Sequence, residues 1–292
     1  MEFLAPDSLA DALAAKAAHP ESVPIAGGTD VMVELNFDRG RPPALLDLTR
    51  LGELTAHDPY DGWLRVGAGV TYARVIDELG VALPGLAMAC RTVGSPQIRN
   101  RGTIGGNLGS ASPAGDAHPM LLATGAEIEL ASIRGSRRIP ATEFFVGPRR
   151  TACRPEELIT AFWMRAADPA GGQQYAKIGT RNAMVIAVCS FGLALDASAR
   201  TVGTGIGSAG PTPLRAPEAE RFLAGVLEEN GRWDTGAAVP DAAARRFGEL
   251  VAAAARPIDD HRGTAAYRRH ALAVLARRTV GWARSTGAGA CG

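Results

Sequence analysis

Thiols are scarce in this 292-residue chain: Cys90, Cys153, Cys189 and Cys291 are its only cysteines, and no two stand close enough to form a C-x-x-C pair. By itself the chain therefore offers neither a zinc knuckle nor the thiolate set of an iron–sulfur cluster. It also lacks the dense disulfide framework of a small secreted domain, which points to a reducing cytoplasm. Net charge is nearly absent. Thirty-one Lys and Arg against 30 Asp and Glu leave +1, so bulk electrostatics favours neither nucleic acid nor an anionic membrane as partner. No apolar run approaches the roughly 20 residues needed to span a bilayer. The opening Met1–Asp7 has neither the basic nor the apolar region of a secretion signal. No nucleophile, acid–base pair or metal cluster stands out, so no catalytic or metal-ligating residue is assigned. That silence suits a protein whose bound cofactor does the chemistry.

What the chain has in quantity is glycine, 35 residues, with 19 prolines, in a composition that is 46% hydrophobic. The length suits one large or two medium globular domains. Ser8 precedes a helical run to Ala18 in which Leu9 and Leu13 lie four apart. Short strands are predicted at Val23–Ala26, Ala44–Leu48 and Trp63–Gly67, and a helix after Thr71. The stretch from Gly94 to Gly115, dense in Gly, Ser, Thr, Asn and Pro, reads as a long irregular loop, a kind rare in compact domains unless functional. A helix at 117–124 and a strand at 126–131 follow. Pro169–Gly172 reads as a domain boundary. Beyond it come strands near 174–178, 185–195 and 200–204. The tail is helical at about 215–229, 242–254 and 264–283, with Arg268, Arg269, Arg277 and Arg278 read as a solvated face, a docking surface being the alternative. Strands alternating with helices support an α+β or α/β protein.

Two glycine loops are candidate ligand sites. In Ala26-Gly27-Gly28-Thr29-Asp30 a strand ends in two glycines, whose backbone N–H groups can approach a phosphate with no Cβ in the way. Asp30 is expected to turn aside, since phosphate repels a carboxylate. In Gly102-Thr103-Ile104-Gly105-Gly106-Asn107 the paired glycines recur with a hydroxyl and an amide, followed by Ala111-Ser112-Pro113-Ala114-Gly115-Asp116, whose carboxylate suits ribose hydroxyls. Alone, either loop is also a plain turn. Together they suggest one ligand with polar ends, held between two lobes. Gly205-Ile206-Gly207-Ser208-Ala209-Gly210 fits G-x-G-x-x-G, but Pro211 and Pro213 prevent the helix that a dinucleotide fold requires there, so it reads as a strand and turn.

Pro24–Asp30, Gln97–Asn107 and Ala111–Asp116, with the tail Ile258–Arg269, resemble the FAD-binding medium subunits of molybdenum hydroxylases over essentially the whole chain, most of all those of bacterial xanthine dehydrogenases. The resemblance implies an α+β protein: a two-lobed FAD-binding domain of the vanillyl-alcohol-oxidase (PCMH) type at 1–172, with lobes at about 1–55 and 56–172, then an α+β domain of the carbon monoxide dehydrogenase flavoprotein type at 173–292. It implies that Ala26, Gly27, Gly28, Thr29, Asp30 and Val31 wrap the FAD pyrophosphate, with Pro24 and Ile25 also among the cofactor-binding residues. Thr103, Ile104, Gly105, Gly106 and Asn107 would form the second wall, and Asp116 would hold the adenosine ribose. Ile159 would lie near the adenine, Lys177 at the polar edge of the flavin, and Ile186 against the isoalloxazine ring. Read without the resemblance, Ile159 and Ile186 are core residues and Lys177 is a solvated charge. His118, just past Asp116, reads as a surface or capping residue.

The first loop offers no His or Cys for covalent attachment, so FAD is expected to be non-covalent. The resemblance further implies that a large molybdopterin subunit oxidises the substrate, a purine or other N-heterocycle. A small [2Fe-2S] subunit would relay electrons to this chain, and the chain would pass them to NAD+, a quinone or O2. A dimer of heterotrimers is the implied assembly. The alternatives are a free-standing FAD-dependent oxidase or reductase, a carbon monoxide dehydrogenase medium subunit, and an assembly module without FAD.

Overall fold

A computed structural model describes residues 1–288; Cys291 lies outside the described residues. Three larger sheets, beside a two-stranded one of Phe145–Gly147 and Arg150–Thr151, organise the described residues. The first is parallel, in the order Glu2–Leu4, Ala44–Asp47, Val23–Ile25, and packs against the helix Leu9–Ala18. Ser8 starts that helix by accepting a hydrogen bond from the Asp11 N–H on its hydroxyl. Ala12, Leu46, Leu51 and Leu54 form a small core there. Leu158 joins it from the second sheet, so the two sheets share buried surface.

The second sheet is antiparallel, in the order His57–Tyr60, Trp63–Gly67, Leu158–Arg165, Glu127–Ser132, Gly135–Pro140. Val66, Ile128, Leu130, Phe162 and Met164 alternate inward to one core with the helices Tyr72–Glu78, Pro84–Arg91 and His118–Ala123. The segment expected to be an irregular loop is instead two short helices, Pro96–Arg101 and Ile104–Ser110. Pro96 opens the first. The Thr103 hydroxyl caps the second by accepting from the Gly106 N–H at 2.9 Å. Three glycines make Ile104–Ser110 a poor helix on intrinsic propensity, and capping with tertiary burial overrides that preference.

The third sheet is an antiparallel meander of Gly172–Ile178, Cys189–Asp196 and Thr201–Gly207. The helices Pro217–Glu228, Asp241–Ala254 and Ala265–Ala288 cover one face around Phe191, Leu223, Phe247 and Leu272. Not all arginines of the last helix are solvated: Arg268 is buried against Asp260 and the Ser208 carbonyl, and Arg284 donates to the Arg232 carbonyl. The other face of the sheet receives the helix His118–Ala123, and here the G-x-G-x-x-G stretch finds its role. A Cβ on Gly203 would lie 1.8 Å from the Ala123 carbonyl oxygen, and one on Gly205 1.9 Å from that of Pro119. These glycines let a helix of the second sheet's core sit backbone-to-backbone on the third sheet.

Gly205→Ala is expected to lower stability by about 1–3 kcal/mol through overpacking. Gly225→Ala, in a helix with open space at its Cβ, should raise it by roughly 0.5–1 kcal/mol. Chemical denaturation of the two variants checks both signs.

Candidate functional site

Where the first two sheets meet the turn after Ile178, a cleft of about 830 Å³ opens. That volume lies in the upper part of the roughly 300–1,000 Å³ range of small-molecule sites. Both glycine loops line it, and each pair divides its work. Gly27 packs on the end of the helix Pro96–Arg101, where a Cβ would sit 2.0 Å from the Arg101 carbonyl oxygen. Gly105 packs on Ala68, with 2.5 Å to its Cβ. These first glycines lock the loops to the protein. The second glycines face the cleft: a Cβ on Gly106 would meet only the Thr103 hydroxyl, at 3.2 Å, and Gly28 adopts φ +74°, a conformation that favours glycine.

The hydrogen bonds of the two loops differ. In the second, Ile104 N–H donates to Val70, Gly105 N–H to Ala68 and Gly106 N–H to the Thr103 hydroxyl, so its first-turn donors are already engaged. In the first, no described residue accepts from the N–H of Gly27, Gly28, Thr29 or Asp30. Four consecutive free donors on a cleft wall form a concave array suited to an anion. Asp30 makes no capping hydrogen bond with its side chain. In the second loop, the Asn107 side-chain oxygen Oδ1 is buried without a partner among the described residues. Residues with these free groups fit a dinucleotide's phosphates and polar edges, and the glycines leave the room it needs.

Of the residues the resemblance singled out, all but Ile25, Ile104 and Lys177 line the cleft. Ile25 packs beneath Gly28, within 3.7 Å of where its Cβ would be, and Ile104 is fully buried in the core. Lys177 is not solvated. Its ammonium donates to Asp116 Oδ2 at 2.7 Å and to the Thr92 carbonyl at 3.2 Å, behind the cleft wall. The Tyr175 hydroxyl donates to Asp116 Oδ1 at 3.0 Å. Burial pushes the Asp116 carboxyl above its ordinary range, and the Lys177 ammonium and the Tyr175 hydroxyl pull it back. Asp116 and Lys177 were expected at opposite ends of the ligand. Their direct contact places them at one end, so that pair of roles does not stand.

His118 is fully buried, not on the surface. Its Nε2 donates to the Asn107 carbonyl at 3.1 Å, and its ring packs 4.5 Å from that of Phe145. Sequence reading also missed Lys16, Tyr72, Ser95, Cys153 and Met184 on the cleft walls. They come from helix ends and connections without a motif, so no local signal marks them.

Comparison with known proteins agrees with this architecture. Residues 1–164 match the family described as FAD binding domain in molybdopterin dehydrogenase, and residues 174–283 the CO dehydrogenase flavoprotein C-terminal domain. The chain is 31% identical over 287 residues to the nicotine 6-hydroxylase medium subunit of Paenarthrobacter nicotinovorans, covering 96% of each. It is 32% identical to a putative xanthine dehydrogenase FAD-binding subunit of Escherichia coli, covering 73% of this chain and 76% of the relative. A chain of the reconstituted CO dehydrogenase from Oligotropha carboxidovorans superimposes with a TM-score of 0.90 at 28% identity, covering 98% of both.

Burial pushes His118 down to about 4, against the pull of the Asn107 and Ser112 backbone. The unfolded chain protonates this group near 6.5 and the folded chain only near 4. Stability is therefore complete above about 6.5 and drains as the pH falls towards 4, by up to roughly 3 kcal/mol from this group. Urea denaturation at stepped pH should show a flatter profile over that window for His118→Gln than for the parent.

Proposed function

The chain belongs to the FAD-binding medium subunits of the molybdenum hydroxylases, and from that membership we propose that it is an electron-transfer subunit holding FAD between its two glycine loops. The four free N–H groups of Gly27–Asp30, facing the cleft, carry this reading. They would hold the pyrophosphate, with Asn107 opposite. Asp116, held by Lys177 and Tyr175, would serve the isoalloxazine end together with Ile186, which follows Lys177 along the chain and lines the same cleft. Pro24 and Ile159 would flank the adenosine end. FAD supplies the two-electron redox chemistry that the side chains of the chain lack.

The FAD is non-covalent in this reading. Cys153 is the cleft's one cysteine among the described residues, and burial and Glu157 push its thiol up to about 11, so it is protonated and a poor nucleophile near neutrality. The FAD-binding unit is assigned to 1–172, with lobes at about 1–55 and 56–172, and the C-terminal unit to 173–292. The chain would accept electrons from a small [2Fe-2S] subunit beside a large molybdopterin subunit and pass them to NAD+, a quinone or O2. A cytoplasmic dimer of heterotrimers is the proposed setting. A purine or another N-heterocycle is the proposed substrate class, in keeping with the relatives named for nicotine and xanthine.

The test is the visible spectrum of the purified chain, alone and after FAD addition. Flavin absorbance is expected in the parent and is released by acid denaturation. Gly106→Val, whose side chain enters the cleft, should lose it while remaining folded. A folded parent that stays colourless with added FAD sinks the proposal.

A further inference from the structure

Lys16 sits near the end of the helix Leu9–Ala18, where a lysine would ordinarily extend into water. Here it is 5% exposed and lines the cleft beside Val23, Pro24, Leu158 and Ile159. Its ammonium donates to the Pro20 carbonyl at 2.8 Å and the Ser22 carbonyl at 2.6 Å. An ammonium has three donors, so one remains free. No carboxylate among the described residues pairs with it within 4 Å. A buried cation with a free donor, no carboxylate at ion-pair distance and only the longer-range field of Glu21 to offset its charge is unfavourable unless a ligand completes its shell.

The position of the cleft's other groups says which part of a ligand that would be. The free N–H groups of Gly27–Asp30 follow Pro24 along the chain, and the proposed reading above gives Asp116 with Ile186 to the isoalloxazine end. Around Lys16 the cleft wall offers the apolar surface of Val23, Pro24, Leu158 and Ile159, suited to the face of a flat ring, together with the polar Cys153, Arg154 and Glu157. Adenine matches it, since its faces are apolar and its ring nitrogens accept hydrogen bonds.

We propose that Lys16 reads the adenine of the dinucleotide through its free N–H, and so makes the cleft select FAD over FMN. This rests on the FAD reading above. A purely structural rival exists: by binding the Pro20 and Ser22 carbonyls, Lys16 also staples the turn that leads into the phosphate loop. The two roles separate by ligand. A staple acts on every ligand of the loop, whereas a reader acts only on ligands that carry adenine.

The full-length chain, stripped of flavin, is titrated with FAD, FMN, ADP and UDP. The parent should bind FAD more tightly than FMN, and ADP more tightly than UDP, which has the same diphosphate. Lys16→Gln, whose amide still donates to the turn, should weaken FAD and ADP by about tenfold or more and leave FMN unchanged. Equal weakening of FAD and FMN, or none, overturns the proposal. So does a parent that does not distinguish ADP from UDP, an arm that requires no variant. A parent that binds no flavin fails at the earlier reading instead and takes this one with it.

Discussion

The cleft depends on one close approach, that of the Gly27 backbone to the Arg101–Gly102 backbone, with a Cβ there falling 2.0 Å from a carbonyl oxygen. Two loops from different sheets can meet this tightly only when no side chain separates them. The helix Pro96–Arg101 thereby becomes a shelf for the first loop, and Gly105 seats the second on Ala68 in the same way. With the loops so fixed, the Gly27–Asp30 donors need no partner from the protein to keep their shape. Free donors that are rigid beforehand lose little ordering entropy when an anion arrives.

Charge in the cleft is handled in two ways. The Asp116 carboxylate is balanced within the protein by Lys177 and Tyr175, so it can remain buried and oriented. By contrast, the hydrogen bonds of the Lys16 ammonium among the described residues go only to backbone carbonyls. The glycine-floored junction between Gly203, Gly205 and the helix His118–Ala123 matters to both walls, because that helix begins two residues after Asp116. Since Lys177 comes from the third sheet, this junction also sets where the ammonium meets the carboxylate.

The sequence made the two Gly-Gly pairs, the caps at Ser8 and Thr71, and the rejection of G-x-G-x-x-G as a nucleotide motif legible, since each rests on local backbone chemistry. It did not show that Ile104–Ser110 is a helix, because three glycines there conceal a conformation that burial and the Thr103 cap impose. Nor did it show that Lys16, His118, Arg268 and Arg284 are buried, or that the side chain of Lys177 is covered. A charged residue on an amphipathic helix or a strand looks solvated until its neighbours are known, and those neighbours are 60 residues away for Arg268 and 61 for Lys177. The family motifs located most of the cleft wall, but they could not reveal that Asp116 and Lys177 form one pair.

Amide hydrogen exchange across residues 26–31, with and without saturating FAD, addresses the phosphate loop directly. If Gly27–Asp30 hold the pyrophosphate, their amides, which have no acceptor among the described residues, exchange quickly in the free chain and become protected when FAD binds. Exchange at these amides that is unchanged by bound FAD would contradict the assignment and move the phosphate site elsewhere in the cleft.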